Sequence, residues 1–202
     1  ICVGQGEPTL FPHIIELLNA CRDRGISFSM ITNGFTSLDK YKQLFANGID
    51  SLHLSSHGLG DTMDTLMGFK GGFARQAKLK EWLQSEGHVF RTNVTLQHET
   101  YKQLPKLAEY EVAAGDRHFV MLGFLPHYSW LHHEQEIAVH PQALQPYIEA
   151  AADVLLANQC LFTIRYHPFC WLRPDLWKYV VNTLFCQWDN TEWVYTLNPN
   201  ET

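Results

Sequence analysis

The chain lacks paired cysteines. Its five, Cys2, Cys21, Cys160, Cys170 and Cys186, are widely spaced with no C-x-x-C pair. That pattern is neither a disulfide framework nor a complete thiolate metal site, and it makes a reducing cytoplasm the expected compartment. Charge is also scarce: charged residues are 18% of the 202, and the formal net charge is −6. Such a balance gives no broad attraction to nucleic acid or to an anionic membrane. No apolar run approaches a membrane span, and no signal peptide is visible. Sequence repeats, low-complexity tracts and long linkers are missing as well. There is no initiator Met, and the chain opens inside an apolar run, so it is expected to be a fragment.

What is present is a globular composition, 46% hydrophobic, long enough for one domain with a sizeable core. Five apolar stripes recur at helical spacing with fitting starts or stops. They are Ile14/Leu17/Leu18/Cys21 before Gly25, Leu38/Tyr41/Leu44/Phe45 after Ser37, Leu79/Trp82/Leu83 before Gly87, Tyr101/Leu104/Ala108/Val112 before Gly115, and Leu144/Ile148/Ala151/Leu155 after Pro141. Between them lie the strand candidates Ile26–Thr32, Ser51–Ser55, His88–Leu96, His118–Leu122 and Cys160–Arg165. With the opening Ile1–Val3 run, the alternation predicts an α/β fold: a partial (β/α)6, TIM-like barrel of parallel strands with helices outside. Residues 1–158 are expected to form the barrel. Residues 159–202 are expected to add a final strand and a Trp-rich extension of the same domain, packing on the barrel.

Three strands carry a polar face. Arg91, Asn93 and Thr95 oppose Phe90, Val94 and Leu96; Ser27 and Ser29 oppose Phe28 and Met30; His53 and Ser55 oppose Leu52 and Leu54. Parallel strands buried on both faces are usually continuous apolar runs, and an ordinary eight-stranded barrel fills its interior with branched apolar side chains. An antiparallel sheet with one solvated face would also show this alternation, but the intervening helices favour a polar lumen, which is a substrate cavity.

The most informative segment is Gly4-Gln5-Gly6-Glu7-Pro8, between the opening strand and the first helix. It places two glycines and a carboxylate at a strand's C-terminal end, where open α/β sheets and barrels carry their chemistry. Glycine admits close backbone approach, and Pro8 stiffens the exit. A plain turn with an acid complementing a helix dipole has the same residues. Ile31-Thr32-Asn33-Gly34 closes the next strand, Ser51–Ser56 with His57-Gly58 the one after, and Arg91–Leu96 and Phe124-Leu125-Pro126 follow. In this order and spacing the set resembles the radical S-adenosylmethionine (SAM) enzymes from Ile1 to about Pro126, with Gln5 standing where that family's G-G-E-P turn has its first glycine.

The resemblance implies SAM held beside a [4Fe–4S] cluster, reductive cleavage of SAM, and a 5′-deoxyadenosyl radical that abstracts a hydrogen from an unidentified substrate. In that family three cysteines of a C-x3-C-x2-C loop, placed before the G-G-E-P turn, ligate the cluster. No such motif occurs in these 202 residues, so the first barrel strand and cluster loop are expected upstream, and the fragment alone is expected to be inactive. Gly6, Glu7, Pro8, Asn33, Ser55, Arg91 and Asn93 are the candidate SAM and substrate contacts, with Ser56 beside Ser55. Glu7 and backbone carbonyls suit an ammonium, the serines ribose hydroxyls. Arg91 suits a carboxylate, or equally a structural ion pair. The substrate stays open, with a polar small molecule, a peptide and a nucleoside all fitting, and a flavodoxin or ferredoxin is the expected reductant. The lack of paired downstream cysteines weighs against peptide-modifying members that carry auxiliary clusters.

Cys170 is a candidate hydrogen-atom donor or cluster ligand, though buried inert cysteine is commoner. His127, His132, His133 and Glu134 suggest a divalent ion without the i,i+4 geometry of a helical zinc site; no metal ligand is assigned. A TIM-barrel-like metal-dependent hydrolase or lyase, and a non-catalytic ligand-binding barrel, stay open as alternatives.

Overall fold

A computed structural model describes residues 1–4, 6–124 and 137–181, together with the backbone of 188–189 and 192–193. Seven strands form one sheet in sequential order: β1 (Cys2–Val3), β2 (Ser29–Thr32), β3 (Ser51–Ser55), β4 (Val89–Leu96), β5 (His118–Gly123), β6 (Leu161–Arg165) and β7 (Val180–Val181). Every neighbouring pair in it is parallel, which rules out the antiparallel explanation of the polar face. Parallel neighbours need long crossovers. These contain α1 (Ile14–Arg22), α2 (Leu38–Ala46), α3 (Asp61–Leu66) with α4 (Gly72–Ser85), α5 (Leu104–Ala113) and α6 (Pro141–Ala157). The result is a TIM-like α/β half-barrel with helices around it. A two-residue antiparallel pair, Trp188–Asp189 with Glu192–Trp193, stands apart from it in the pairing.

The core lies between the sheet and the helices, in two clusters. Ile14, Leu18, Phe28, Met30, Leu52, Leu54, Leu79 and Leu83 pack β2–β4 against α1, α2 and α4. Val94, Leu96, Leu107, Phe119, Met121, Ile148, Leu155 and Ile164 pack β4–β6 against α5 and α6. These are one parity of each strand. The other parity therefore faces the concave side: Ser29, Ile31, His53, Ser55, Arg91, Asn93, Thr95, Val120, Thr163 and Arg165, aligned strand to strand by register.

Several boundaries differ from the sequence pattern, each for a local reason. The second strand starts at Ser29 rather than Ile26, because the Asp50 carboxylate accepts from Phe28 N and Ser27 Oγ and so takes the place of a ladder partner. Tyr101 opens a 3-10 turn (Tyr101–Gln103), and α5 begins only at Leu104. The short helix α3 has too little apolar period to show in the sequence, yet its Asp64 carboxylate accepts from Gly71 N and Phe73 N and so fixes where α4 starts. Those same backbone bonds hold the Asp64 carboxyl below the usual range. No helix among the described residues is long and apolar enough to cross a membrane.

Candidate functional site

The strands' C-terminal ends form one rim, and Glu7 ties its first two members together. Its Oε1 accepts from Thr9 N (3.2 Å), Thr9 Oγ1 (2.7 Å) and Thr32 Oγ1 (2.7 Å), while Oε2 accepts from Asn33 N (2.9 Å). An ionised carboxylate only accepts, so both threonine protons point at it. The Tyr41 hydroxyl at 2.8 Å must then donate to Thr32 Oγ1, and the Thr36 hydroxyl at 2.6 Å to Thr9 Oγ1. Tyr41 is fully buried, and that burial pushes its phenol pKa up. A carboxylate has about four lone-pair sites; Oε2, with one donor among the described residues, retains acceptor capacity. Pro8 is buried and starts the 3-10 turn Pro8–Leu10 that Glu7 caps. Gly6 adopts φ +62°, and a Cβ there would meet nothing within 4 Å. The backbone is thus open to a ligand on that side.

Asn33 follows β2. Its Oδ1 accepts from Phe35 N at 2.8 Å, an Asx turn, and Gly34 continues at φ +79°. Ser55 ends β3, where it lies directly opposite Asn93 of β4, and Arg91 lies opposite His53 on the same face. Glu7, Asn33, Ser55 and Asn93 are therefore neighbours along the rim from β1 to β4, with Arg91 one pleat further in. Asn93 and Arg91 are both buried, and Asn93 Oδ1 has no hydrogen-bond partner among the described residues. A buried orphan acceptor costs about 1–3 kcal/mol, which a ligand donor would recover. Ser56 faces the other way. Its hydroxyl donates to Glu111 Oε1 on α5 (2.7 Å), which also receives Lys80 Nζ of α4 (2.6 Å). That removes Ser56 from the candidate ribose contacts.

Beyond the rim two concavities open and share Phe124. One, about 390 Å³, is lined by His57, Leu66, Met67, Thr95, Gln97, Glu99, Phe124 and Ile137. The other, about 550 Å³, includes Gly123, Phe124, His140, Tyr166 and His167. Both fall in the size range of small-ligand sites. His57 Nδ1 accepts from Thr95 N at 3.2 Å, so in the neutral ring the proton sits on Nε2. Burial lowers the pKa of His57, and likewise of His167, to about 4. At Gly123 a Cβ would stand 2.3 Å from the Tyr166 carbonyl oxygen, while Tyr166 itself holds φ +59°. The ends of β5 and β6 are thus pressed together in a backbone conformation that only tight packing maintains.

Cys170 lies exposed in the 3-10 turn Phe169–Trp171 after β6, three strands from Ser55. His127, His132, His133 and Glu134 lie outside the described residues, as do Gln5, Cys186 and most of the expected Trp-rich extension beyond Val181. Among the described residues no three His, Cys, Asp or Glu side chains are placed to hold a metal ion. The described residues consequently do not fit an iron–sulfur cluster. They do fit SAM: open glycine backbone at Gly6, spare acceptor capacity on Glu7, and the orphaned Asn93 Oδ1.

Sequence reasoning overlooked Gln76 of α4, whose Nε2 donates to Asn33 O (2.8 Å) and Ser55 O (3.0 Å). The signal was there: Gln76, Leu79 and Leu83 share a helical stripe, and a polar residue on a buried stripe must satisfy something. His57 shows in the sequence only as part of a strand-end motif.

Comparison with known proteins supplies the remaining findings. The family profile described as "Radical SAM superfamily" matches residues 1–110. A PqqA peptide cyclase of Ruegeria pomeroyi is 29% identical over 117 residues, 57% of this chain and 31% of that protein. One of Methylocella silvestris is 25% identical over 158 residues, 77% and 40% respectively. The chain thus spans well under half the length of these curated relatives. SuiB of Streptococcus suis, solved with S-adenosylmethionine, superposes with TM-score 0.67 at 21% identity, covering 81% of this chain and 38% of SuiB. Solved with its precursor peptide SuiA it gives 0.64 at 23%, covering 81% and 37%.

Proposed function

This chain belongs to the radical SAM superfamily, and from that membership we propose that the β1–β4 rim binds SAM while the concavities beside Phe124 receive a peptide substrate. The observation that carries this is the contiguity of Glu7, Asn33, Ser55 and Asn93 on one rim, with acceptor capacity left on Glu7 Oε2 and Asn93 Oδ1. The open Gly6 backbone and Glu7 Oε2 accept from the ammonium of SAM. Ser55 and Asn93 bond its hydroxyls. Arg91 contributes positive charge toward a carboxylate, where a low local dielectric makes it count. His57 presents a neutral Nε2–H to whatever fills the 390 Å³ concavity, and Leu66, Met67 and Ile137 exclude water from it.

SAM beside a [4Fe–4S] cluster, when both are bound, supplies hydrogen-atom abstraction. The cluster's ligands come from outside the described residues, and the electron from a flavodoxin or ferredoxin. The lack of paired downstream cysteines weighs only against peptide-modifying members that carry auxiliary clusters, and a peptide substrate stays open. The relatives favour one: the two compared are named peptide cyclases, and SuiB is solved with a precursor peptide. We place the reaction in the cytoplasm, in keeping with cysteines that are widely spaced in the sequence and form no C-x-x-C motif.

The test uses the full-length protein, reconstituted anaerobically with iron and sulfide. Under strong reductant it should convert SAM to methionine and 5′-deoxyadenosine. Intact SAM after many hours, with the cluster verified spectroscopically, would overturn the reading.

A further inference from the structure

Gln76 bridges the exits of β2 and β3 where the rim is built. It sits in α4, on the helix side of the sheet, and is buried to 1% exposure. Its Nε2 spends both protons on the carbonyl oxygens of Asn33 and Ser55, at 2.8 and 3.0 Å. Carbonyl oxygens cannot donate, so this pair of contacts also fixes which end of the amide is nitrogen. The chain makes room for the arrangement: a Cβ on Gly34 would come within 2.9 Å of Gln76 Cγ, at a φ of +79° that disfavours any side chain there. One residue earlier on the same helix, Arg75 Nη1 donates to Phe35 O at 3.0 Å. The β2 exit is therefore fastened to α4 at two successive points.

A residue kept only for packing has no need of this chemistry. Leu or Met would continue the stripe of Leu79 and Leu83 without burying Gln76 Oε1, which has no hydrogen-bond partner among the described residues. Burying an unsatisfied acceptor is unfavourable, so the amide is retained for what its nitrogen does. What it does is set the separation and orientation of two adjacent strand ends.

We infer that Gln76 is a positioning residue for SAM: it acts through the Asn33 and Ser55 backbones and touches no ligand itself. This rests on the SAM reading above. By holding the β2 and β3 exits at fixed spacing, it keeps Asn33, Gly34 and Ser55 in the geometry that the ligand meets. Ordering that would otherwise accompany binding is already present in the free protein.

The test is Gln76→Met in the full-length, cluster-reconstituted protein, with Gln76→Leu as a second variant should Met fold poorly. The SAM dissociation constant, followed spectroscopically, and amide exchange at Asn33–Phe35 and Ser55–His57 without SAM are read beside steady-state kinetics and the melting temperature. SAM affinity should fall ~10-fold or more, in the range typical of supporting-shell changes. KM for SAM should rise with it, while kcat at saturating SAM stays close to wild type. Exchange at the two exits should quicken while the melting temperature moves by only a few degrees. A purely structural residue would lower the melting temperature and leave SAM affinity alone, and that outcome, or wild-type affinity with wild-type exchange, overturns the assignment. If the wild-type protein itself shows no SAM affinity, the SAM reading falls and takes this assignment with it. The wild-type titration separates the two failures.

Discussion

Residue by residue, the site is governed by where hydrogen-bond capacity is used up and where it is left over. Glu7 is read in the sequence as a rim carboxylate, and so it lies; what the pattern does not show is that three of its four bonds go to Oε1. That asymmetry comes from Thr9 and Thr32, whose hydroxyls reach one oxygen from two elements. His57 is a second case. Thr95 N fixes its tautomer, and burial lowers its pKa from 6.5 to about 4. A group that resists protonation only when folded adds stability above about pH 6.5, and that contribution is lost as pH falls toward 4. NMR titration should show the His57 ring carbons unmoved from pH 8 to 5 and shifting only near 4. A midpoint at 6.5 would mean the ring is exposed and the Thr95 bond absent.

At the scale of elements, α4 does more than its apolar stripe announces. Leu79 and Leu83 give it a place against the sheet, as their spacing predicts. Gln76, also on the buried side, attaches it to the exits of β2 and β3, and Lys80 attaches it to Glu111 of α5. Lys80 and Glu111 are both essentially without exposure and are joined at 2.6 Å, and Ser56 adds its hydroxyl to the same oxygen. Such a pair need not stabilise relative to apolar residues, but breaking it strands a buried charge. Lys80→Met should therefore cost ~3–5 kcal/mol in urea unfolding. Adding Glu111→Gln should regain a good part, because the charge is gone while Ser56 keeps an acceptor. A cost below ~1 kcal/mol for the single variant would show that the pair is hydrated. The nearby Asp116 carboxyl, raised to about 7 by burial and then by the Glu111 charge, belongs to the same buried polar group.

At the scale of the whole molecule, alternation of strands with helices was enough to read a parallel half-barrel with a polar concave face, because period-2 and period-3.6 patterns are local properties of the chain. What stayed hidden was set by contacts distant in sequence or by very short elements. β7 has two residues, α3 six, and the late start of β2 depends on Asp50, 22 residues after the Phe28 amide it holds. The rim was legible as a set of strand-end residues. Its unity was not, since Glu7 to Asn33, Asn33 to Gln76 and Ser55 to Asn93 are joined only once the sheet has closed in register.

On the function proposed above, this rim and no other part of the half-barrel receives SAM. A crystal structure of the full-length protein with SAM tests it most directly. Density should lie across the exits of β1 to β4, with the methionine ammonium on the Gly6–Glu7 side and a hydroxyl or amine within hydrogen-bond distance of Asn93 Oδ1. SAM bound wholly at the β5–β7 end, with Glu7 Oε2 and Asn93 Oδ1 touching only protein and water, would contradict it.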